Sequence, residues 1–448
     1  MALLYGRGPT SRRHETLSGE PEHPGAPWVN WLFIHQNFPG QFVHAARHLA
    51  AAGDQVVFIT QARDRQLPGV RKIVYAPTRR ATGAHPFVHE FNSSIENGLS
   101  VARICEELKQ TGFTPDLVVG HNGWGEILYV KDCWPSVPLL GYFEFYYHAH
   151  DSDLDFDAEF PSSPVDRMRV RTRNAINLLG LETADWGQTP TEFQRSLYPE
   201  RYRRTISVIH EGVDTSIVYP EPSTQLWLAG GLSLSRNDLL ITYSARNLEP
   251  YRGFHIVMRT LPKLLERHPT ARVLIVGGNE VSYGRRPDGA NTWRQQLLTE
   301  LEGQFDLSRV HFLGRLNYPQ YLAMLRISSV HIYLTYPFVL SWSLLEAMSA
   351  GCAIVASRTA PVEEVIRDEE NGYLVDFFDG DALADRVSDM LLHRDQQERI
   401  RAAARQTVVE RFDLTSKCLP AYLALLRRLI RRQRQNSISF VDGSARAV

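Results

Sequence analysis

The apolar positions of this chain come in short unbroken runs and not in the every-other-residue alternation of a half-exposed sheet. Val29-Asn-Trp-Leu-Phe-Ile34, Val56-Val-Phe-Ile59, Asp116–Gly120 and Pro138-Leu-Leu-Gly-Tyr-Phe143 follow one another in the first half. Leu239–Ala245, Val273-Leu-Ile-Val276, Val310–Leu313, Val330–Tyr336 and Ala353–Ala356 do so in the second. Runs of this length without a polar face read as strands buried on both sides, the pattern of parallel sheets. Helical stretches separate them. One ends at Ala52 and is stopped by Gly53, one covers about Phe91 to Gln110, and a long one runs from about Pro164 to Glu182. In the second half, helices end at His268 and cover about 292–303 and 318–327. Strand and helix alternate twice over, which predicts an α/β protein of two doubly wound parallel sheets.

A chain of 448 residues is also too long for one ordinary core. The expected divisions are a disordered tail over 1–27, a first domain over 28–215, a Pro- and Gly-punctuated linker over 216–236 and a second domain over 237–412. A last helix from about Leu414 to Arg434 returns toward the first domain within 413–448, ahead of a second tail. Residues 1–27 carry no apolar h-region, so they do not read as a signal peptide.

Composition narrows the class. Apolar residues make up 43% and charged residues 22%, ordinary for a globular protein. Lys and Arg number 49 against 50 Asp and Glu, so no global field favours nucleic acid. No apolar run reaches membrane-spanning length. Cys105, Cys133, Cys352 and Cys418 form no CxxC pair, and reduced core cysteines fit a cytoplasmic protein.

Candidate chemistry collects where predicted strands end, because ligands of open α/β sheets bind beyond the strand carboxyl ends. After the first strand, His35-Gln-Asn-Phe-Pro-Gly40-Gln41 puts a glycine where backbone can approach a ligand, without the G-x-G-x-x-G of dinucleotide sites. His121 and Glu144 end the next strands. A histidine there is a hydrogen-bonded scaffold residue or a catalyst. Tyr142, Tyr147 and His148 lie in an aromatic stretch that serves packing or a stacking surface for a sugar or lipid. Asp151-Ser-Asp-Leu-Asp-Phe-Asp157 lacks the glycine and glutamate of a calcium loop, and a solvated acidic loop is expected. In the second half, Ser343-Leu-Leu-Glu346 is either a capping box or the wall of an anion site at a helix start. Arg427-Arg-Leu-Ile-Arg-Arg-Gln-Arg434 is either a solvated helix end or a contact for anionic lipid.

In combination, Arg246-x5-Arg252-Gly253, Glu346-Ala-Met-Ser-Ala-Gly351, Thr189-Pro-Thr191 and His210-Glu-Gly-Val-Asp214 resemble the retaining glycosyltransferases of family 4, over about residues 29 to 430. The resemblance implies GT-B architecture, two Rossmann-like domains facing each other across a cleft. The implied activity is transfer of a sugar from a nucleotide-diphosphate sugar to an acceptor hydroxyl with retention, as in polysaccharide or glycoconjugate synthesis. Arg246 and Arg252 would neutralise the diphosphate leaving group without metal or other cofactor. Backbone amides of Leu340, Ser341, Trp342 and Ser343 would bind the same diphosphate, Glu346 the ribose hydroxyls, and Gly40 and Gln41 would close from the first domain. Gly278 and Leu313 would line the rest of the donor site.

His121, Tyr142, Tyr147 and His148 would face a saccharide, lipid-linked or glycoconjugate acceptor, with peripheral membrane contact through the arginine run and no nucleic-acid partner. Two departures stand out. Phe338 replaces the family's first glutamate, eight residues before Glu346, and Glu144 stands where many members have histidine. His121 or His148 would then supply the missing histidine's function, or Glu144 would serve as base or as stabiliser of an oxocarbenium-like transition state. A nucleotide-sugar sensor without turnover and a GT-B epimerase are the alternative readings.

Overall fold

A computed structural model of the chain describes residues 28–77 and 85–444; the tail expected over 1–27 lies outside the described residues. Two compact units result, one made of the chain up to Glu211 plus the segment from Cys418 onward, the other of Gly212–Lys417.

The first unit holds seven strands: β1 (Asn30–Ile34), β2 (Gln55–Thr60), β3 (Val70–Val74), β4 (Leu117–His121), β5 (Leu139–Tyr142), β6 (Trp186–Thr189) and β7 (Ile206–Val208). They pair in parallel in the order β3-β2-β1-β4-β5-β6-β7. Successive residues of β1 serve opposite faces, as the pleat demands. Trp31 and Phe33 join Phe58 and Val119 under the Val43–Ala51 helix and the last helix, Leu419–Ser444, which contributes Leu423, Leu426, Leu429 and Ile430. Leu32 and Ile34 join Val57, Ile59 and Val118 under the His89–Gln110 helix, which contributes Val101, Cys105 and Leu108. Burial on both faces is why these strands read as unbroken apolar runs.

The second unit begins with a hairpin, β8 (Gln225–Trp227) and β9 (Ser233–Ser235). Its sheet follows: β10 (Leu240–Asn247), β11 (Arg272–Gly278), β12 (Val310–Gly314), β13 (Val330–Tyr333), β14 (Ile354–Ser357) and β15 (Tyr373–Val375). All are parallel, in the order β12-β11-β10-β13-β14-β15. Both units are therefore doubly wound. Strand order reverses between β1 and β4 in one and between β10 and β13 in the other, and these switch points open the crevices where such sheets bind ligands.

Several local expectations change. The stretch 216–236 does not run as a free linker: Val218, Leu226 and Leu234 are buried in the core of the second unit, and the glycines and prolines shape the hairpin and its approach. The long helix expected from Pro164 is two helices, Pro164–Arg173 and Ala175–Thr183, meeting at Asn174. The Asn174 side chain accepts from Tyr147 N at 3.0 Å and donates to Tyr147 O at 2.7 Å, which draws that junction onto the neighbouring loop. The acidic stretch 151–157 is not a solvated loop. Asp153 and Asp157 are buried, and Asp155 pairs with Arg167 at 3.0 Å while accepting from Ser162 N. All four cysteines are buried and unpaired by disulfide.

Candidate active site

In the second unit, β10 delivers Arg246, Asn247 and then Glu249-Pro-Tyr-Arg252 to the switch point. Arg252 is buried, at 8% exposure, yet forms no ion pair among the described residues. Its Nη1 donates to Thr335 Oγ1 at 2.6 Å and to Val339 O at 3.0 Å, so the arginine holds the loop that leads from β13 into the Trp342–Ser349 helix. The rings of Tyr283 and Phe338 stand 5.6 and 5.9 Å from its Cζ. Burial works to lower the guanidinium pKa, but Tyr333, Tyr283 and Glu249 more than offset it and the net displacement is upward. Arg246 is exposed and has no ion pair among the described residues.

The helix start is not the Ser343–Glu346 capping box, one of the two readings of this stretch. Ser341 is the N-cap and accepts from Ser343 N, while Tyr333 OH accepts from Ser341 N at 2.9 Å. Glu346 does not turn back to the cap. It accepts from the Tyr318 hydroxyl at 3.0 Å and lies at 7% exposure, and burial pushes its carboxyl up to about 7 against the Tyr318 and Tyr321 hydroxyls. A buried carboxyl on the helix whose approach loop is held by a buried unpaired cation is a ligand-site arrangement.

Gly278 and Leu313 belong to the surroundings. A Cβ at Gly278 would lie 2.4 Å from Asn247 Oδ1 and 2.7 Å from Arg315 Nη2, and Arg315 bonds both Asn247 and Glu280. That network alone accounts for the glycine. Leu313 packs, half-buried, against the core. Phe338 is buried with its ring 5.0 Å from Tyr283 and edge-on to Tyr251 at 5.5 Å.

In the first unit, β1, β4 and β5 bring His35, His121 and Glu144 together. Asn37 N donates to His35 Nδ1 at 2.9 Å, which leaves the proton on Nε2, and Nε2 donates to Gln41 Oε1 at 2.6 Å. Burial, then the neighbouring His121, holds His35 well below the usual histidine range, so the ring is neutral. Gly123 N likewise donates to His121 Nδ1, aiming His121 Nε2 at Glu144 Oε2 from 3.6 Å. Gln41 Nε2 lies 3.5 Å from Glu144 Oε1. Both imidazoles thus present Nε2–H, one directly and one through Gln41, toward a single carboxylate. His121 stacks on Trp124 at 4.2 Å.

Gly40 has φ +53, and a Cβ there would meet His35 Nε2 at 2.7 Å, so the turn and the close approach both require glycine. The Thr189-Pro-Thr191 element holds Glu144 from behind: Thr191 caps the Glu192–Leu197 helix, and Gln194 Nε2 donates to Glu144 O at 2.6 Å.

The expected acceptor-side aromatics are committed elsewhere. Tyr142 OH donates to Glu211 Oε1 at 2.7 Å, and His148 Nε2 bonds Leu197 O at 2.7 Å. Tyr147 carries Arg173 over its ring at 3.8 Å. Sequence reasoning missed His35, Tyr318, Glu249 and Tyr283. Only His35 carried a signal, its place at the end of a buried strand.

Two Rossmann-like units, each with polar chemistry at its switch point, are the parts of the GT-B fold. Residues 52–218 match the family described as glycosyl transferase family 4 group, and residues 233–407 match glycosyl transferases group 1. The chain belongs to this family of group 1, family 4 glycosyltransferases. It is 24% identical to a D-inositol 3-phosphate glycosyltransferase of Acidothermus cellulolyticus, over 91% of this chain and 92% of that protein. It is 30% identical to a phosphatidyl-myo-inositol mannosyltransferase of Mycobacterium leprae, over 42% of this chain and 45% of that one. Among solved structures, sucrose-phosphate synthase from Thermosynechococcus elongatus has the same fold, with TM-score 0.66 at 18% identity over 90% of this chain and all of that one. Anabaena HepE in complex with UDP-glucose gives TM-score 0.58 at 15% identity, over 92% and 100%.

Proposed function

We propose that the protein transfers a sugar from a nucleotide-diphosphate sugar to an acceptor hydroxyl with retention of anomeric configuration. The observation that carries this reading is Arg252, a buried cation without a carboxylate of its own. Leaving an ion unpaired in a crevice costs several kcal/mol, which an anionic ligand offsets. The 342–349 helix start adds N–H groups and dipole for the same anion, and the exposed Arg246 adds a second charge. Departure of a nucleoside diphosphate is then assisted by protein charge alone, with no call on a divalent ion. Glu346 suits a ribose diol, which donates two hydrogen bonds to one carboxylate. In the first unit, Glu144, backed by His121 and by His35 through Gln41, serves the acceptor hydroxyl as base or stabiliser of positive charge.

The relatives, an inositol phosphate glycosyltransferase and a mannosyltransferase, and the UDP-glucose complex of HepE favour a hexosyl donor and a saccharide or lipid-linked acceptor. Peripheral contact with an anionic surface belongs to the same reading. Arg431 and Arg432 are exposed and without an ion pair among the described residues, where no helix is long and apolar enough to cross a membrane.

Binding and turnover of UDP-, GDP- and ADP-sugars test the proposal, with the anomeric configuration of the product read by NMR. Binding of one donor with slow release of free sugar supports it. Absence of binding across the panel sinks it. Binding without hydrolysis or transfer to any acceptor would favour a sensor, the reading suggested by Phe338 in place of a carboxylate.

A further inference from the structure

The loop 279–292, between β11 and the Trp293–Glu300 helix, is tied down at one point in an unusual way. Glu249 is fully buried, and its carboxylate accepts from three successive backbone amides: Ser282 N at 3.1 Å to each oxygen, Tyr283 N at 3.1 Å and Gly284 N at 3.1 Å. Consecutive N–H groups that converge in this way form a nest of the kind that binds anions. Here the protein fills the nest with its own side chain, so those amides are unavailable to a phosphate. A second tether runs from Asn247 Nδ2 to Ser282 Oγ at 2.7 Å.

The residue in the middle of the nest, Tyr283, is 39% exposed. Its ring nevertheless lies 5.6 Å from the Arg252 guanidinium and 5.0 Å from Phe338, which in turn meets Tyr251 edge-on. An aromatic wall with one open member therefore stands beside the cation proposed to hold the diphosphate. The group covalently next to a diphosphate in a nucleotide sugar is the hexose, and a hexose presents a C–H face that packs on aromatic rings.

We infer that Tyr283 is a specificity residue that stacks on the transferred sugar, and that Glu249 is the positioning residue that fixes it there through the 282–284 nest. The wall selects the donor's sugar by its apolar face, at a position where the carboxylate expected at 338 would have selected hydroxyls. The inference rests on the donor reading of Arg252, so the test separates the two.

Affinity is measured by calorimetry for a nucleoside diphosphate and for the matching nucleotide sugar, on the full chain and on Y283A, Y283F and E249Q, with thermal melts and hydrogen exchange of the 282–284 amides. Y283A is expected to keep the nucleoside diphosphate affinity and to lose about tenfold in nucleotide-sugar affinity. Y283F, which keeps the ring, restores it. E249Q reproduces the Y283A loss and speeds exchange at 282–284, while the melting cooperativity is retained. If the wild type binds both ligands and Y283A changes neither, or changes both equally, this inference is overturned and the donor site stands. If the wild type binds neither ligand, the donor reading falls and takes this one with it. If E249Q fails to fold, Y283A and Y283F decide by themselves, since neither touches a backbone tether.

Discussion

The Tyr318 hydroxyl donates to Glu346 Oε1 at 3.0 Å, across 28 residues of chain, and it is one of two hydroxyls that hold down a carboxyl that burial raises to about 7. A ribose diol donates to the carboxylate, so binding favours the anion. With the free carboxyl near 7, only about a tenth is ionised at pH 6, and nucleotide-sugar affinity is expected to fall about tenfold between pH 8 and pH 6. Tyr318→Phe removes a bond to the anion, raises the carboxyl further and shifts the midpoint to higher pH. Glu346→Gln flattens the profile. Calorimetry with an intact nucleotide sugar, whose diphosphate does not titrate in this range, checks all three.

The same carboxyl makes a stability prediction of opposite sense. Its folded pKa, about 7, lies above the unfolded value of about 4.3. The folded state therefore holds the proton more tightly, and stability on this account is full below about pH 4.3 and lost as pH rises to about 7. At pH 8 the buried anion costs up to about 3 kcal/mol. Glu346→Gln should accordingly melt higher than the wild type at pH 8, with the gap closing toward pH 4. Equal melting points at pH 8 would show that the carboxyl is not penalised by burial.

Glu144 is faced by His121 Nε2 and, through Gln41, by His35 Nε2, and the prediction concerns turnover. Glu144→Gln keeps the shape and removes the charge, and kcat is expected to fall by about two orders of magnitude with little change in donor KM. Gly40→Ala drives a Cβ to 2.7 Å from His35 Nε2 and strains a φ of +53. It breaks the His35–Gln41 bond and should lower kcat by about tenfold through misplacement alone. Steady-state kinetics on both variants, with melts as control, decide it; wild-type turnover in Glu144→Gln excludes the role.

The strands were legible because burial on both faces leaves unbroken apolar runs, and Arg252 and Glu346 were legible because they sit in spaced motifs at strand and helix ends. What escaped was set by contacts distant in sequence. Glu249 acts on amides 33 to 35 residues away and Tyr318 on a carboxylate 28 away, and no local pattern encodes either. The 216–236 stretch was misread because Gly and Pro punctuate hairpins and hinges alike, and only the burial of Leu226 and Leu234 tells them apart. The helix cap lies two residues earlier than the capping-box reading has it: Ser341, not Ser343, caps the helix, and the Glu346 carboxylate bonds Tyr318 instead.

Among the arginines of the run, Arg428 and Arg434 make contacts that serve the fold. Arg428 stacks on Trp186 at 4.9 Å and Arg434 pairs with Asp116 at 3.2 Å. Arg431→Glu with Arg432→Glu should therefore leave the melting point within about 1 °C, because surface changes away from such contacts are nearly neutral. The same pair should abolish co-sedimentation with phosphatidylserine vesicles in low salt, each lost cation weakening attraction by about 1 kcal/mol. Wild-type protein that stays in the supernatant with these vesicles rules out the membrane contact.

Arg246 and Arg252 differ in what else they do, and that difference separates chemistry from scaffolding. Arg246 is exposed and bonds nothing among the described residues, so Arg246→Ala should leave the melting point unchanged. Any loss of turnover is then a loss of charge at the leaving group, for which about 10²-fold is expected. Arg252 also fixes Thr335 and Val339. Its replacement by alanine strands the buried Thr335 hydroxyl and the half-buried Val339 carbonyl, at a cost of about 1–3 kcal/mol, in addition to the lost charge. Arg252→Lys keeps the charge but cannot fork between the loop and a phosphate, so it should lose about as much turnover as Arg246→Ala while retaining more stability than Arg252→Ala. Melts and kcat/KM on the three variants check the pattern. An Arg252→Ala enzyme that is destabilised yet turns over normally would reduce Arg252 to a structural tie.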